Sequence, residues 1–218
     1  MKVKRTAEEI SEHLEQLRVV GIARLRDADA VVEAATTAAA HGLLALEVPF
    51  TVPDAGRAIT TLRERLGAAC VVGAGTVRTA AQLEEAVHSG AEFLVAPGLN
   101  ASLARAAQAA GTLYVPGVYT ASEVDLALGF GLRLLKLFPA VPAGPTYLAG
   151  LRQPFPEARF MPTGGVGPEN AAAFLRAGAV ALGVGSSVFP ADRIEREGTA
   201  VVGDLTRATL AAVASRPA

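Results

Sequence analysis

"CVVGAGTVRTAAQLEEAVHSGAEFLVAPG", residues 70–98, holds a complete structural unit. An apolar β-type run, residues 70–77, leads to Thr79, a helix-capping residue, and then to Ala-rich sequence with helical spacing. Ser89-Gly90 supplies the stop, because glycine takes the left-handed backbone past a helix end without steric cost. A second apolar run, residues 93–98, follows at once. Strand, helix and strand with such short connections predict two parallel strands joined by a covering helix.

The unit repeats in both directions. Further β-type runs lie at 19–25, 43–50, 113–118, 134–139, 159–165 and 179–185, making eight that start roughly 20 to 27 residues apart. Each is continuously apolar rather than alternating, as in parallel strands buried on both faces. Helix stops recur at His41-Gly42 and Ala177-Gly178, and caps at Asn100 and at Thr120, where Glu123 completes a capping box. Eight evenly spaced units without a domain-like break predict an α/β protein, a single (β/α)8 TIM barrel over residues 1–218. An open doubly wound sheet is the alternative. An extra N-terminal helix, about residues 6–17, should cover the barrel floor, and residues 191–218 should form the last outer helix.

Composition narrows the function. The chain is 51% hydrophobic and 19% charged, the balance of a soluble globular protein. A net charge of -1 gives no electrostatic case for nucleic acid or an anionic membrane. With 5% aromatic residues and no Trp, a base-stacking surface is not expected either. No apolar run is long enough to span a membrane, and the charged N-terminal stretch lacks the apolar core of a signal peptide. The single cysteine, Cys70, excludes an intramolecular disulfide framework and fits a reducing cytoplasm. It opens a strand at the stability end, where an inert thiol is expected. His13, His41 and His88 fall on helices as surface residues, none at metal-ligand spacing, so no metal and no cofactor is expected.

In such barrels chemistry sits at the C-terminal ends of the strands. Those ends collect Arg24, Glu47, Thr76, Pro97, Pro116, Lys136, Thr163 and Ser186. Lys136 stands out: it lies in "LLKLFP", and the chain otherwise holds two lysines against seventeen arginines. A lysine stem can snorkel along apolar surface. Here, however, both flanks are apolar and Phe138-Pro139 ends the strand, which aims the amine at the barrel mouth. Desolvation and a nearby cation lower an amine's pKa and free the base that attacks a carbonyl, which arginine cannot do. Glu47, in "ALEVPF", is either an ion-pair partner of Lys136 or, with its pKa raised, a proton shuttle. The glycine-rich stretches "PTGGVGPEN" (162–170) and "GVGSSVF" (183–189) follow strands seven and eight, where barrels often hold phosphate. Gly164, Gly165, Gly185 and Ser186 offer unhindered N–H groups, with a helix expected to open at Pro168. Tight turns alone would also use glycine. Gly73 and Gly75 make an incomplete dinucleotide fingerprint, so clearing space inside the barrel is the better reading.

Together these residues resemble the 2-keto-3-deoxy-6-phosphogluconate (KDPG) aldolase family, which includes 4-hydroxy-2-oxoglutarate (KHG) aldolases. The likeness covers roughly residues 10–195 and rests on "LEV" at 46–48, "VGAGTV" at 72–77, "APGLN" at 96–100, "VPGVYTASEV" at 115–124, "LKLFPA" at 135–140 and "PTGGV" at 162–166. It implies a class I, metal-independent aldolase on a (β/α)8 barrel, acting on a small 2-keto acid as a homotrimer. By that resemblance Lys136 matches the Schiff-base lysine and Glu47 the acid/base glutamate. Thr76 and Thr163 match substrate-contacting threonines, with Pro97 and Phe138 beside them, and Gly164, Gly165, Gly185 and Ser186 match the phosphate site. One departure stands out: the family's "EVTLRT" reads "EVPFTV" here, so Thr51 replaces an arginine expected on the pyruvate carboxylate. Arg24, ending strand one, is the substitute this reading assigns. Two other functions fit the same loops: a phosphosugar isomerase or epimerase with Glu47 as base, and a non-catalytic phosphoester-binding barrel.

Overall fold

The caps read from the sequence make the hydrogen bonds expected of them. Thr79 accepts from Gln82 N at 3.2 Å, and Asn100 Oδ1 from Ser102 N and Leu103 N at 2.9 and 3.2 Å. Thr120 and Glu123 form a reciprocal capping box; a second box, Thr6 with Glu9, opens the first helix and was not among the caps read from the sequence. Gly42, Gly90 and Gly178 leave their helices with φ of 95°, 85° and 95°. Each stop therefore uses the conformation that glycine alone enters freely.

A computed structural model describes residues 5–214. Its strands are β1 (Val19–Ile22), β2 (Ala45–Pro49), β3 (Val71–Gly75), β4 (Phe93–Val95), β5 (Leu113–Val115), β6 (Gly117–Val118), β7 (Leu134–Leu137), β8 (Arg159–Pro162) and β9 (Leu182–Val184). The helices are α1 (Ala7–Leu17), α2 (Ala28–Ala40), α3 (Ala55–Leu66), α4 (Ala80–His88), α5 (Ala101–Ala109), α6 (Ala121–Gly129), α7 (Ala140–Arg152), α8 (Ala171–Arg176), α9 (Ala191–Glu197) and α10 (Ala200–Ala214). This is an α/β fold with parallel strands in two sheets, ordered β5-β4-β3-β2-β1-β9 and β6-β7-β8. Single parallel bridges, Phe160 to Ala179 and Thr163 to Gly183, link the β8 and β9 regions.

Three expectations are corrected. The run 113–118 is two strands, because Pro116 has no N–H to give a ladder; its carbonyl instead accepts from Lys136 N at 2.9 Å. Residues 191–214 form two helices, α9 and α10, with Gly198 at φ 76° ending the first; 215–218 lie outside the described residues. The helix expected at Pro168 opens at Ala171 instead. Asn170 holds the preceding turn, accepting from Gly167 N at 3.0 Å and donating to Gly165 O at 2.9 Å.

The two faces of each strand meet different neighbours. Val19, Leu46, Val72, Leu94, Tyr114, Leu135, Phe160 and Leu182 pack with helix residues such as Val31, Ile59, Leu83 and Phe174. Their strand neighbours Val20, Ala45, Val71, Phe93, Val115, Leu134, Met161 and Ala181 pack instead on one another and on Ile10 and Leu14 of α1. That second cluster draws on strands of both sheets. Side chains alternate along a strand, so two residues beyond Ala45, Leu134 and Met161 the same face carries Glu47, Lys136 and Thr163.

Candidate active site

Glu47 and Lys136 are buried, 1% and 4% exposed, at the C-terminal side of the apolar layer beneath them. Burial is the main influence on both. It pushes the Glu47 carboxyl above the ordinary carboxylate range, opposed by the positive charges of Lys136 and Arg24. It pulls the Lys136 amine down, with Arg24 adding to the effect and Glu47 opposing it. Both groups are thereby driven toward their uncharged forms, the state suited to a nucleophilic amine and a proton-carrying acid. Glu47 Oε2 is buried with no hydrogen-bond partner among the described residues. The Lys136 Nζ lies 4.9 Å from the centroid of the Phe138 ring, within cation–π range.

A cavity of about 340 Å³ opens above the amine. Of the residues singled out in the sequence, its wall includes Arg24, Lys136, Phe138, Thr163, Gly164, Gly165, Gly185 and Ser186. Thr163 is held by its N–H to Leu137 O at 2.9 Å and its hydroxyl to Met161 O at 3.3 Å. Gly164 and Gly165 take φ of 97° and 77°. At the first, a Cβ would also press on the Phe138 ring at 3.2 Å. Ile22, Val166, Phe189 and Ala191 complete the apolar side of the wall. Nothing in their residue types marks them out, since apolar residues fill every strand and helix of this chain.

Four residues assigned a part in the chemistry or in substrate binding lie off that wall. Glu47 faces Lys136 and Arg24 electrostatically without lining the cavity. Thr51 is exposed in the turn after β2, where Val52 N bonds Pro49 O at 2.9 Å. Pro97 is half-buried, its carbonyl pressed toward Gly117. Thr76 is half-buried at φ 55°, a left-handed conformation that costs a β-branched residue energy and clusters at functional sites.

Among the described residues no group of His, Cys, Asp and Glu is placed to hold a metal ion. His88 is exposed as expected, but His13 and His41 are half-buried. His41 caps α2, its Nδ1 2.9 Å from Thr37 O, with its ring against Gly203 of α10. The Cys70 thiol is buried and its pKa is pushed up to about 12, first by burial and then by Glu92, which disfavours the thiolate.

Known proteins share this arrangement of chain. The aldolase family described as KDPG and KHG aldolase matches residues 10–205. A 2-dehydro-3-deoxy-phosphogluconate aldolase of Treponema pallidum is 34% identical over 92% of this chain and 96% of its own. The enzyme of that name from Zymomonas mobilis is 40% identical over 80% and 82%. A KDPG aldolase crystal structure from Legionella pneumophila, with pyruvate captured as a covalent carbinolamine, superposes with a TM-score of 0.82 at 29% identity, covering 88% of this chain and 93% of that one. The chain belongs to the KDPG and KHG aldolase family, and it is an aldolase, a lyase.

Proposed function

We propose that this aldolase is of class I and cleaves 2-keto-3-deoxy-6-phosphogluconate to pyruvate and glyceraldehyde 3-phosphate, 4-hydroxy-2-oxoglutarate to pyruvate and glyoxylate, or both. The observation that carries the reading is a lysine 4% exposed at the base of an open cavity, electrostatically coupled to a carboxyl 1% exposed. The Lys136 amine attacks the C2 ketone, and Glu47 gives a proton to the departing hydroxyl, leaving a protonated imine and water. The Glu47 carboxylate then takes the C4 hydroxyl proton. As the C3–C4 bond breaks, its electron pair flows into the imine, giving an enamine and the free aldehyde. Glu47 returns the proton to C3, and water hydrolyses the imine to pyruvate and free lysine.

In this reading Arg24 and Thr163 hold the carboxylate. The N–H groups of Gly164, Gly165, Gly185 and Ser186 hold a phosphate when one is present, and Thr76, Pro97 and Phe138 bound the substrate. Thr51 leaves the carboxylate to Arg24. The two sheets act as one closed (β/α)8 barrel with α1 across its floor, a single domain over the chain. The support is the pair of bridges between the β8 and β9 regions and the apolar cluster fed by both sheets. A homotrimer in the cytoplasm completes the proposal; a monomeric mass in solution would remove the trimer.

Borohydride reduction in the presence of pyruvate, followed by peptide mapping, should place a 1-carboxyethyl group, the reduced pyruvate imine, on Lys136. An isomerase or a binding barrel would trap nothing and make no pyruvate, and an active enzyme without the adduct would overturn this mechanism.

A further inference from the structure

Glu47 is confined by shape rather than by bonding. In the β2–β3 register it stands opposite Gly73, with Pro49 opposite Gly75. Its side chain leans along the strand to meet Gly75 on the diagonal, one step closer to the cavity end. A Cβ at residue 75 would fall 1.9 Å from Glu47 Oε1, 2.5 Å from Cδ and 2.6 Å from Cγ. Position 75 needs no glycine for its backbone, since its φ is not positive and it pairs as an ordinary strand residue. Space is the only demand. Gly73, two residues earlier on the same face, makes room for something else: a Cβ there would meet the ring of Phe93 at 2.5 Å, inside the packed apolar layer.

We propose that Gly75 is a positioning residue for the aldol reaction: its missing Cβ is the slot that holds the Glu47 carboxyl turned toward the cavity end of the strands. The inference rests on the reading of Glu47 as the proton carrier. A methyl group at residue 75 fills the slot. The carboxyl is the free end of a flexible side chain and moves before the backbone does. Displaced, it still carries a proton, but no longer from the place that reaches C3 and the C4 hydroxyl.

Gly75→Ala should lower kcat by about 10²-fold, the scale of a 1 Å misplacement, with KM little changed and the Lys136 adduct still trapped by borohydride and pyruvate. The limb of its pH–rate profile set by Glu47 should move to lower pH, because a better solvated carboxyl loses its proton more readily. Gly73→Ala should lower the melting temperature and leave the profile where it was. In a Glu47→Gln background, Gly75→Ala should cost no further turnover. Equal behaviour of the two alanine variants, or a full additional loss on top of Glu47→Gln, would overturn the slot. Should Gly75→Ala unfold, melting in a Glu47→Ala background decides: recovery there supports the slot, and an undiminished loss removes it. A fully active Glu47→Gln protein is a different result, because it strikes the proton-carrier reading itself.

Discussion

Two glutamates at opposite ends of the strands live by opposite rules. Glu92, just before β4, accepts from Arg5 Nε and Nη2 at 3.1 and 2.8 Å, from Arg63, and from Val72 N at 3.4 Å. Every charge in that cluster is answered, and it ties residues ahead of α1 to α3 and the start of β4. Glu47 is more deeply buried, yet one of its oxygens has no hydrogen-bond partner among the described residues, and its neighbours are a lysine and an arginine reached through space. A satisfied carboxylate stabilises a fold, whereas a buried unsatisfied one raises the free energy of the folded state and is kept where it does something else. The contrast separates an end of the sheets where buried charge is fully hydrogen-bonded from an end where it is not.

That contrast is easiest to break at Lys136. Lys136→Arg keeps a positive charge but cannot form an imine, so turnover should fall by on the order of 10⁴-fold or more, with no borohydride adduct. Retained activity would return the upper end of the sheets to a structural role. Glu47→Gln comes next, with kcat down by about 10²–10⁴-fold while the pyruvate adduct still forms on Lys136; steady-state rates and mass mapping read the two effects separately.

Arg24→Ala has a smaller effect with a defined sign. Burial chiefly holds the Lys136 pKa down and Arg24 adds to it, so removing Arg24 raises that pKa. The pH at which kcat/KM reaches half its maximum should then move upward. Loss of its charged hydrogen bond to the carboxylate should also lower kcat/KM about tenfold, from about 1.5 kcal/mol. An unmoved profile would detach Arg24 from the lysine. At the other end, Glu92→Gln should lower unfolding free energy by about 1–3 kcal/mol in denaturant titration and leave kcat alone. A kinetic effect there would blur the division between the two ends.

Much of this was legible in the chain itself. The metre of apolar runs, the caps at Thr79, Asn100 and Thr120, and the glycine stops follow from local backbone chemistry, and the structure keeps them. Lys136 was conspicuous because a charge in an apolar run is costly wherever that run folds. The helix expected at Pro168 failed for a local reason as well: the Asn170 side chain bonds backward to Gly165 and Gly167 and makes a turn first. Pro116 was visible, but its effect depends on which strands flank it.

The faces of the strands were not legible. In a run such as "LLKLFP" both neighbours of Lys136 are leucine, so the sequence does not say which side meets helices and which meets other strands. Tertiary packing decides that, by pairing Val20, Val71, Phe93 and Met161 across the two sheets and carrying Glu47, Lys136 and Thr163 onto the same face above them. The sequence by itself determined the α/β pattern and the residue types able to do imine chemistry, because propensity, capping and pKa range are local properties. Arg24 was already assigned from the chain as the replacement for Thr51, but only the tertiary structure put it in one cavity with the lysine and decided that a glycine on β3 makes room for a carboxyl on β2. Such proximities depend on long-range packing, which local sequence does not record.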